Sequence, residues 1–196
     1  LGGWAALGGD SFAELRRRRV THVLSILSAE PRQLPSFVRG HLHVCVDDRE
    51  IAAAQLGAQF PRMCHFIDAA RSEPRGCVLV HCGAGISRAP TATAAFIMWK
   101  FGVSPAAALR FVEAARPCTR PNVGFVKQLR TWGAELRVLQ KGGRRGDREL
   151  LADLGHDAGQ HDTRRLSAPS RLTAACEGMS LSAAPNGGPQ FERLRK

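Results

Sequence analysis

The sequence contains no apolar run approaching the roughly 18 residues that a membrane-spanning helix needs, which excludes a transmembrane helix. No N-terminal targeting signal is visible; the chain begins without methionine, so we expect a fragment that an upstream targeting segment could precede. A chain of 196 residues with 44% hydrophobic content can bury one sizeable core, so we expect one domain. The cysteines show neither the paired spacing of a disulfide scaffold nor that of a metal site, and they are Cys45, Cys64, Cys77, Cys82, Cys118 and Cys176.

Positive charge dominates the composition. The chain has 28 Lys and Arg against 17 Asp and Glu, a formal net charge of +11, and most of the excess lies within residues 1–140. A basic surface attracts anionic partners, so acidic phosphopeptides, phospholipid headgroups and RNA are all candidates. The densest basic cluster, the four arginines at 16–19, is interpreted as the solvated end of a helix.

The most informative segment is residues 78–88, which reads VLVHCGAGISR. Five residues separate Cys82 from Arg88, and this spacing lets a loop curl until its backbone N–H groups converge on one point. A helix that starts near Ser87 aims its positive end at the same point, so a phosphate dianion fits there and a thiolate is stabilised there. The spacing alone also suits a buried cysteine and a surface arginine. The preceding apolar strand and the glycines at 83 and 85, where the backbone must bend tightly, favour the phosphate site.

Residues 81–88 resemble, without a gap, the loop His-Cys-x-Ala-Gly-Ile-Ser-Arg of the dual-specificity protein phosphatase family, a branch of the protein tyrosine phosphatase superfamily. The resemblance extends over residues 1–140, including 1–6, Arg116 and 121–129. Within the family the chain is most similar to the subgroup that normally carries a C-terminal zinc-binding domain. Only Cys176 lies beyond residue 140, and one cysteine cannot build a zinc site, so we expect that domain to be absent.

The resemblance implies a role for each reacting side chain. Cys82 is the expected nucleophile, and Arg88 is expected to bind two phosphate oxygens through its guanidinium fork. The family pattern places the general acid at Asp48; Asp47 is the alternative, because the segment from here to Phe60 is longer than in relatives. Ser87 is expected to ease release of the thiolate, to cap the following helix, or both.

The remaining site predictions concern phosphate binding, metals and histidines. The resemblance makes His81 a structural residue that orients the loop rather than a general base. The histidines at 22, 41, 43 and 65 show no metal-ligand spacing and are interpreted as structural, and we expect no metal and no cofactor. The residues expected to bind the substrate phosphate are Gly83, Ala84, Gly85, Ile86, Ser87 and Arg88.

The order of predicted elements indicates an α/β fold. Strands come first in alternation with helices and are followed by helices alone, which predicts a central, mostly parallel, twisted sheet flanked by helices. The phosphate loop is then expected at the carboxyl end of a buried strand, before a helix N-terminus. The predicted strands are 20–27, 42–46 and 77–81, with residues 1–6 as an opening strand and turn, and the predicted helices are 61–72, 89–101, 105–116 and 124–139.

Residues 141–196 differ in character from the domain predicted at 1–140. They are rich in Gly, Ser, Ala and Pro and contain few aromatic residues, so we expect a mostly disordered tail with one helical turn at 150–154 at most. Ser167 follows two arginines and precedes Pro169 by two positions, a spacing that suits a basophilic kinase and a phosphoserine-binding adaptor.

We therefore expect a cysteine-dependent phosphatase that hydrolyses phosphotyrosine, phosphoserine and phosphothreonine in proteins through a phosphocysteine. One alternative is a phosphatase of phosphoinositides, glucans or RNA; the loop contains no extra cation for such polyphosphates, since Ile86 and Ser87 precede Arg88. The other is a non-catalytic phosphate-binding scaffold, which usually lacks the Cys or the Arg. Because a thiolate nucleophile needs reducing surroundings, we expect the cytosol or the nucleus.

Overall fold

The computed structural model describes residues 1–7, 12–31 and 33–142. Two sequence predictions fall beyond this part of the chain, namely the helical turn at 150–154 and the proposed adaptor site at Ser167. The predicted tail as a whole lies outside it too, apart from residues 141 and 142 at the end of the last helix.

A parallel three-stranded sheet forms the centre of the described chain. Its strands are β1 (His22–Ile26), β2 (Gly40–Val44) and β3 (Val78–His81), in the order β2-β1-β3. The central strand β1 is buried along its whole length, as expected for a parallel strand covered on both faces. The predicted parallel sheet is confirmed, although β2 begins and ends two residues earlier than predicted.

Six α-helices surround the sheet in the described part of the chain. The four predicted helices are present with small shifts at their ends, and the arginines at 16–19 do follow or end a short helix. A second short helix, preceded by a turn of 3₁₀-helix at Glu50–Ala52, was not predicted. The helices are α1 (Phe12–Arg17), α2 (Ala53–Ala58), α3 (Phe60–Ser72), α4 (Arg88–Phe101), α5 (Pro105–Ala115) and α6 (Val123–Gly142).

The boundary between α4 and α5 follows from three residues. Gly102 ends α4 with a φ of 65°, a left-handed conformation that glycine adopts at little cost. Ser104 then caps α5, because its side-chain oxygen accepts a hydrogen bond from the N–H of Ala107 at 3.3 Å. Pro105 fills the first helical position, where no backbone N–H is needed. None of the described helices is both long and apolar enough to cross a membrane.

Apolar side chains cover both faces of the sheet. Leu24 and Ile26 of β1 belong to the larger core, which also contains Met63 of α3 and Phe125 of α6. Burial of each such side chain contributes about 1.5 to 3 kcal/mol. On the other face, a smaller cluster joins β1 and β3 to α1 and the N-terminal segment through Leu7, Leu15, Val20, Val23 and Leu79. The strand that leads to Cys82 is therefore held from two sides.

Residues 1–6, predicted as an opening strand and turn, extend the sheet by only a single bridge before the chain turns away. The segment makes one bridge, between Gly2 and His81, and continues as a 3₁₀-helix at Trp4–Leu7. The physical reason lies in its hydrogen bonds. Gly2 donates its N–H to the carbonyl of Val80 at 3.1 Å, but the N–H of Trp4 turns to the carbonyl of Gly83 at 2.5 Å. The chain thus leaves the sheet and follows the phosphate loop (residues 82–88).

Candidate active site

The phosphate loop connects the carboxyl end of β3 to the N-terminus of α4. Cys82 follows the last residue of β3 and is 1% exposed, and Arg88 is the first residue of α4. The aligned peptide dipoles of α4, which is 14 residues long, make its N-terminus positive, and this end of the helix faces the loop. The two residues singled out by sequence thus lie at the two ends of one tight loop.

Gly85 has the backbone conformation that the loop requires. Its φ is 70°, and a Cβ added there would lie 2.5 Å from the carbonyl oxygen of Gly2. A side chain would be strained by the left-handed conformation and would also strike backbone. Only glycine fits this position, so the glycine spacing seen in the sequence has a direct structural cause.

Neighbouring groups draw the carbonyls of the loop outward. The N–H of Trp4 donates to the Gly83 carbonyl at 2.5 Å and the N–H of Arg120 to the Ile86 carbonyl at 2.8 Å. The Nε of Arg116 donates to the Gly85 carbonyl at 2.8 Å. With these acceptors engaged by neighbouring donors, the loop N–H groups beyond that of Cys82, which donates to Gly2, are expected to face an anion in the loop.

Arg88 is buried and held at both ends of its guanidinium. Its Nη1 donates to the carbonyl of Val46 at 2.9 Å. Its Nε lies 3.4 Å from Oδ2 of Asp48, close enough for attraction, yet that buried Nε has no partner in hydrogen-bond geometry among the described residues. A phosphate oxygen is an acceptor that this donor can take, and the planar guanidinium offers a second N–H beside it.

Asp48, and not Asp47, is in contact with the loop. Oδ1 of Asp48 accepts a hydrogen bond from the Ser87 hydroxyl at 2.7 Å and one from Nδ2 of Asn122 at 3.1 Å. Asp47 is exposed, and its Oδ1 accepts the N–H of Asp48 at 2.9 Å. The structure therefore brings Cys82, Ser87, Arg88 and Asp48 together and leaves Asp47 outside.

The prediction that the Ser87 side chain caps α4 is wrong. Ser87 is the N-terminal boundary residue of α4, but its side chain accepts no capping hydrogen bond from the helix. Its oxygen instead accepts the N–H of Asn122 at 3.2 Å while its proton goes to Asp48. These two bonds engage the hydroxyl with Asn122 and Asp48 in place of the first turn of α4, and the charged carboxylate is a strong acceptor, so Ser87 orients Asp48.

Asn122 and Arg116 belong to the site, although neither was predicted to have a chemical role there. Asn122 caps α6, since its Oδ1 accepts the N–H of Phe125 at 2.9 Å, and its other groups reach Asp48 and Ser87. An asparagine before a predicted helix indicates a cap, but that signal does not reveal contacts across the fold. Arg116 acts on the loop carbonyls from the end of α5.

Burial shifts the pKa values of two further side chains, those of Cys64 and of His81, which precedes Cys82. Burial, assisted by Asp68, raises the pKa of Cys64 to about 12, so that thiol stays protonated. Burial lowers the pKa of His81 to about 4, so this imidazole is neutral near pH 7. Its Nε2 lies 2.6 Å from the hydroxyl of Ser25 in β1. The described residues contain no cluster of three or more side chains that could hold a metal ion.

A family model and curated relatives both match the part of the chain that contains the phosphate loop. The family model for the dual specificity phosphatase catalytic domain matches residues 9–135. Dual specificity protein phosphatase 1 of Arabidopsis thaliana is 37% identical over 125 residues, which are 63% of this chain and 61% of that protein. Dual specificity protein phosphatase 19 of Mus musculus is 32% identical over 133 residues, 66% of this chain and 59% of that protein.

Solved structures give the same similarity in three dimensions. The crystal structure of human DUSP28 matches with a TM-score of 0.62 and 32% sequence identity, over 70% of this chain and 88% of that one. The two curated relatives are longer in total, and the matched part of this chain spans about three fifths of their length.

Proposed function

The chain belongs to the dual specificity phosphatase family, and on that premise we propose that it hydrolyses phosphate monoesters through a covalent phosphocysteine at Cys82. The observation that carries the proposal is the buried Arg88 Nε, a donor without a hydrogen-bond partner among the described residues, at the far end of the loop that starts with Cys82. A phosphate in the loop would satisfy that donor and face the sulfur. Charge, geometry and burial at this position all favour an oxyanion.

In the first step, the thiolate of Cys82 attacks phosphorus. The S–P bond forms as the bond between phosphorus and the leaving oxygen breaks, and Asp48 gives its proton to that oxygen. Arg88 and the loop N–H groups stabilise the charge spread over the equatorial oxygens of a loose transition state. Asp48 suits this task because Ser87 and Asn122 both bind Oδ1, which leaves Oδ2 directed toward Arg88 and the loop.

In the second step, water attacks the phosphocysteine. The carboxylate of Asp48, now without its proton, accepts one from the water as the new O–P bond forms and the S–P bond breaks. Inorganic phosphate leaves, and Cys82 returns to the thiolate that the positive end of α4 stabilises. The family resemblance assigns Ser87 to thiolate release; its bond to Asp48 supports a second task, the orientation of the acid.

We further propose that the substrates are phosphorylated proteins, at tyrosine and at serine or threonine. Arg116 supports this choice over polyphosphorylated headgroups, glucans and RNA. Its Nε and Nη2 donate to the carbonyls of Gly85 and Ala84, so these two groups serve the loop and fewer donors remain for a second phosphate beside it. Because a thiolate nucleophile requires reducing surroundings, we place the activity in the cytosol or the nucleus.

The proposal is tested by release of phosphate from a generic aryl phosphate, with and without vanadate and with and without a chelator. Vanadate should inhibit competitively because it occupies the loop, and the chelator should leave the rate unchanged. The same assay on phosphotyrosine and phosphothreonine peptides, a phosphoinositide and 5′-phosphorylated RNA then ranks the substrate classes. Absence of turnover with intact vanadate binding would favour the non-catalytic scaffold instead.

A further inference from the structure

Three imidazoles and one hydroxyl occupy the face of the sheet behind the candidate nucleophile. Ser25 of β1 is the register partner of His81 in β3, and His41 and His43 lie across from them in β2. Ser25 and His81 are both 0% exposed, whereas His41 is exposed because β2 is an edge strand of the described sheet. The surface imidazole of His41 is thus separated by one strand, β1, from His81, the residue that directly precedes Cys82.

Hydrogen bonds join these groups into a chain. Nε2 of His81 lies 2.6 Å from Oγ of Ser25, and the same oxygen lies 2.8 Å from Nε2 of His41. His43 is not part of the chain, because its Nε2 bonds to the carbonyl of Leu27 at 2.9 Å. Among the described residues, the hydroxyl of Ser25 is the group that links the surface imidazole to the buried one.

Proton counting allows two orders along this chain. A serine hydroxyl has one proton, so it can donate to one imidazole while it accepts from the other. In the first order His41 donates to Ser25, and Ser25 donates to His81, which then carries its proton on Nδ1. In the second order His81 donates to Ser25 from Nε2, and Ser25 donates to His41. The two orders differ in the tautomer of His81.

We propose that His41 is a positioning residue whose protonation selects the first order and thereby sets the tautomer of His81 next to Cys82. An imidazolium carries protons on both nitrogens, so Nε2 of charged His41 can only donate. Ser25 must then donate to His81, whose proton is fixed on Nδ1. The inference rests on the proposed function, since it is that reaction which the loop serves.

The position of Nδ1 gives the tautomer a consequence. This nitrogen is buried and makes no contact of hydrogen-bond geometry with the described residues. The backbone of Cys82 nevertheless raises the pKa of His81, as an acceptor near a ring proton does. A proton on Nδ1 attracts that backbone, and a lone pair repels its carbonyl. The tautomer therefore biases the first peptide of the phosphate loop, where a small displacement of the sulfur matters for attack.

The charged and titratable surroundings set the pH range of the effect. Burial, and then the neighbouring His43, lower the pKa of His41 from its ordinary value. The pKa of His81 is about 4, because burial outweighs the effect of the Cys82 backbone, and His41 and His43 lower it further. A tautomer is defined only while the ring is neutral, so the effect belongs to the pH range in which His41 is charged and His81 is not; because its pKa is lowered, His41 becomes charged only below its ordinary value of 6.5.

The test is the ring ¹⁵N NMR spectrum of His81 followed from about pH 8 to pH 5. In the wild type, the His81 ring signals should move toward the Nδ1–H tautomer as His41 is protonated. His41→Phe should abolish this pH dependence, and Ser25→Ala, which cuts the chain at its centre, should do the same. His43→Phe is the matched control, since it removes an imidazole of the same strand whose Nε2 bonds to Leu27 and not to Ser25; it should retain the dependence, displaced to higher pH because His43 lowers the pKa of His41.

The kinetic readout is kcat/KM for an aryl phosphate over the same pH range. The ratio of wild type to His41→Phe should change by about 2- to 10-fold across the titration of His41, the size expected for one redirected hydrogen bond. Vanadate affinity, measured at each pH, should change in parallel and reports on the loop without turnover.

Two results would overturn the inference. One is a His81 tautomer that responds to pH identically in the wild type, His41→Phe and Ser25→Ala. The other is a constant ratio of wild type to His41→Phe in both kcat/KM and vanadate affinity. A wild type without phosphatase activity would overturn the proposed function alone, because the NMR and vanadate measurements still decide the role of His41.

Discussion

At the scale of single residues, Asp47 and Asp48 are a matched pair within one chain. They are neighbours with the same chemistry, but only Asp48 is bound by Ser87 and Asn122 and lies beside Arg88. The sequence left both as candidates because it fixes the approximate position of the strand end and not the direction of either side chain. The contacts that separate them reach 39 and 74 residues along the chain, and no local pattern reports such contacts.

Replacement of the proposed acid should therefore have a far larger effect than replacement of its neighbour. Asp48→Asn keeps an oxygen for Ser87 but cannot donate the proton, so kcat for an alkyl phosphate should fall by roughly 10²- to 10⁴-fold and the basic limb of the pH profile should flatten. Asp47→Asn should leave both nearly unchanged. If the Asp47 variant instead shows the larger loss, Asp47 is the acid.

His81 makes a separate prediction about stability in acid. The unfolded chain binds a proton at a histidine near the ordinary pKa of 6.5, whereas the folded chain binds it near 4, so folding is disfavoured as pH falls through this interval. The free energy of unfolding should drop by about 2 kcal/mol between about pH 7 and pH 5 through His81 alone.

Chemical denaturation of the wild type and of His81→Asn at the two pH values measures that contribution. The variant should show a smaller drop than the wild type. His65→Asn is the control, because His65 is exposed, and it should keep the full pH dependence. An equal drop in the wild type and His81→Asn would assign the acid sensitivity to other groups.

At the scale of elements, the strand, loop and helix around Cys82 could be predicted because they are contiguous. One segment of eleven residues, 78–88, contains the apolar strand, the two glycines and the start of the helix. Each of these signals is local in sequence. The 3₁₀-helix and α2 at residues 50–58 were missed because each is shorter than two turns and carries no side-chain cap. The hydrogen bond from Arg116 to the Gly85 carbonyl could not be predicted for a different reason, since 31 residues separate the two residues in sequence.

The loop should not tolerate a side chain at Gly85. In Gly85→Ala, the left-handed φ and the approach of the new Cβ to the Gly2 carbonyl oxygen force the loop to move. A displacement of the N–H cradle by about 1 Å should lower kcat/KM by about 10²-fold and weaken vanadate binding.

Gly102→Ala is a matched control for this variant. Gly102 has a φ of 65°, but the nearest atom to an added Cβ is 3.8 Å away, and it ends α4 far from the loop in sequence. It should cost about 1 to 2 kcal/mol of unfolding free energy and leave kcat/KM unchanged. Wild-type vanadate affinity in Gly85→Ala would contradict the assigned loop geometry.

At the scale of the whole molecule, the boundary of the catalytic unit is a prediction from composition. The described contacts to the phosphate loop come from residues 2–4, 46–48 and 116–122, all within the predicted domain at 1–140. A chain shortened after Gln140 should therefore hydrolyse an aryl phosphate within about twofold of the full rate. A larger loss in a variant that is folded by circular dichroism would mean that the later residues act on the active site.

The fold class could be predicted from the sequence because its signals are periodic and local, whereas the tertiary contacts that align the site could not. Ser87 illustrates the difference. Its position before a helix predicts a cap, but its hydroxyl donates to Asp48 and its oxygen accepts the N–H of Asn122, and only the folded chain brings these groups together. Sequence therefore predicted the groups that we propose to react and did not predict the residues that orient them.

The central claim is covalent catalysis through Cys82, and steady-state hydrolysis of an aryl phosphate by Cys82→Ser tests it most directly. The account predicts that turnover is abolished while vanadate still binds in part, because Arg88 and the N–H cradle remain; Cys118→Ser, at an exposed cysteine, should be fully active. Turnover by Cys82→Ser above about a few per cent of the wild-type rate would contradict a phosphocysteine mechanism.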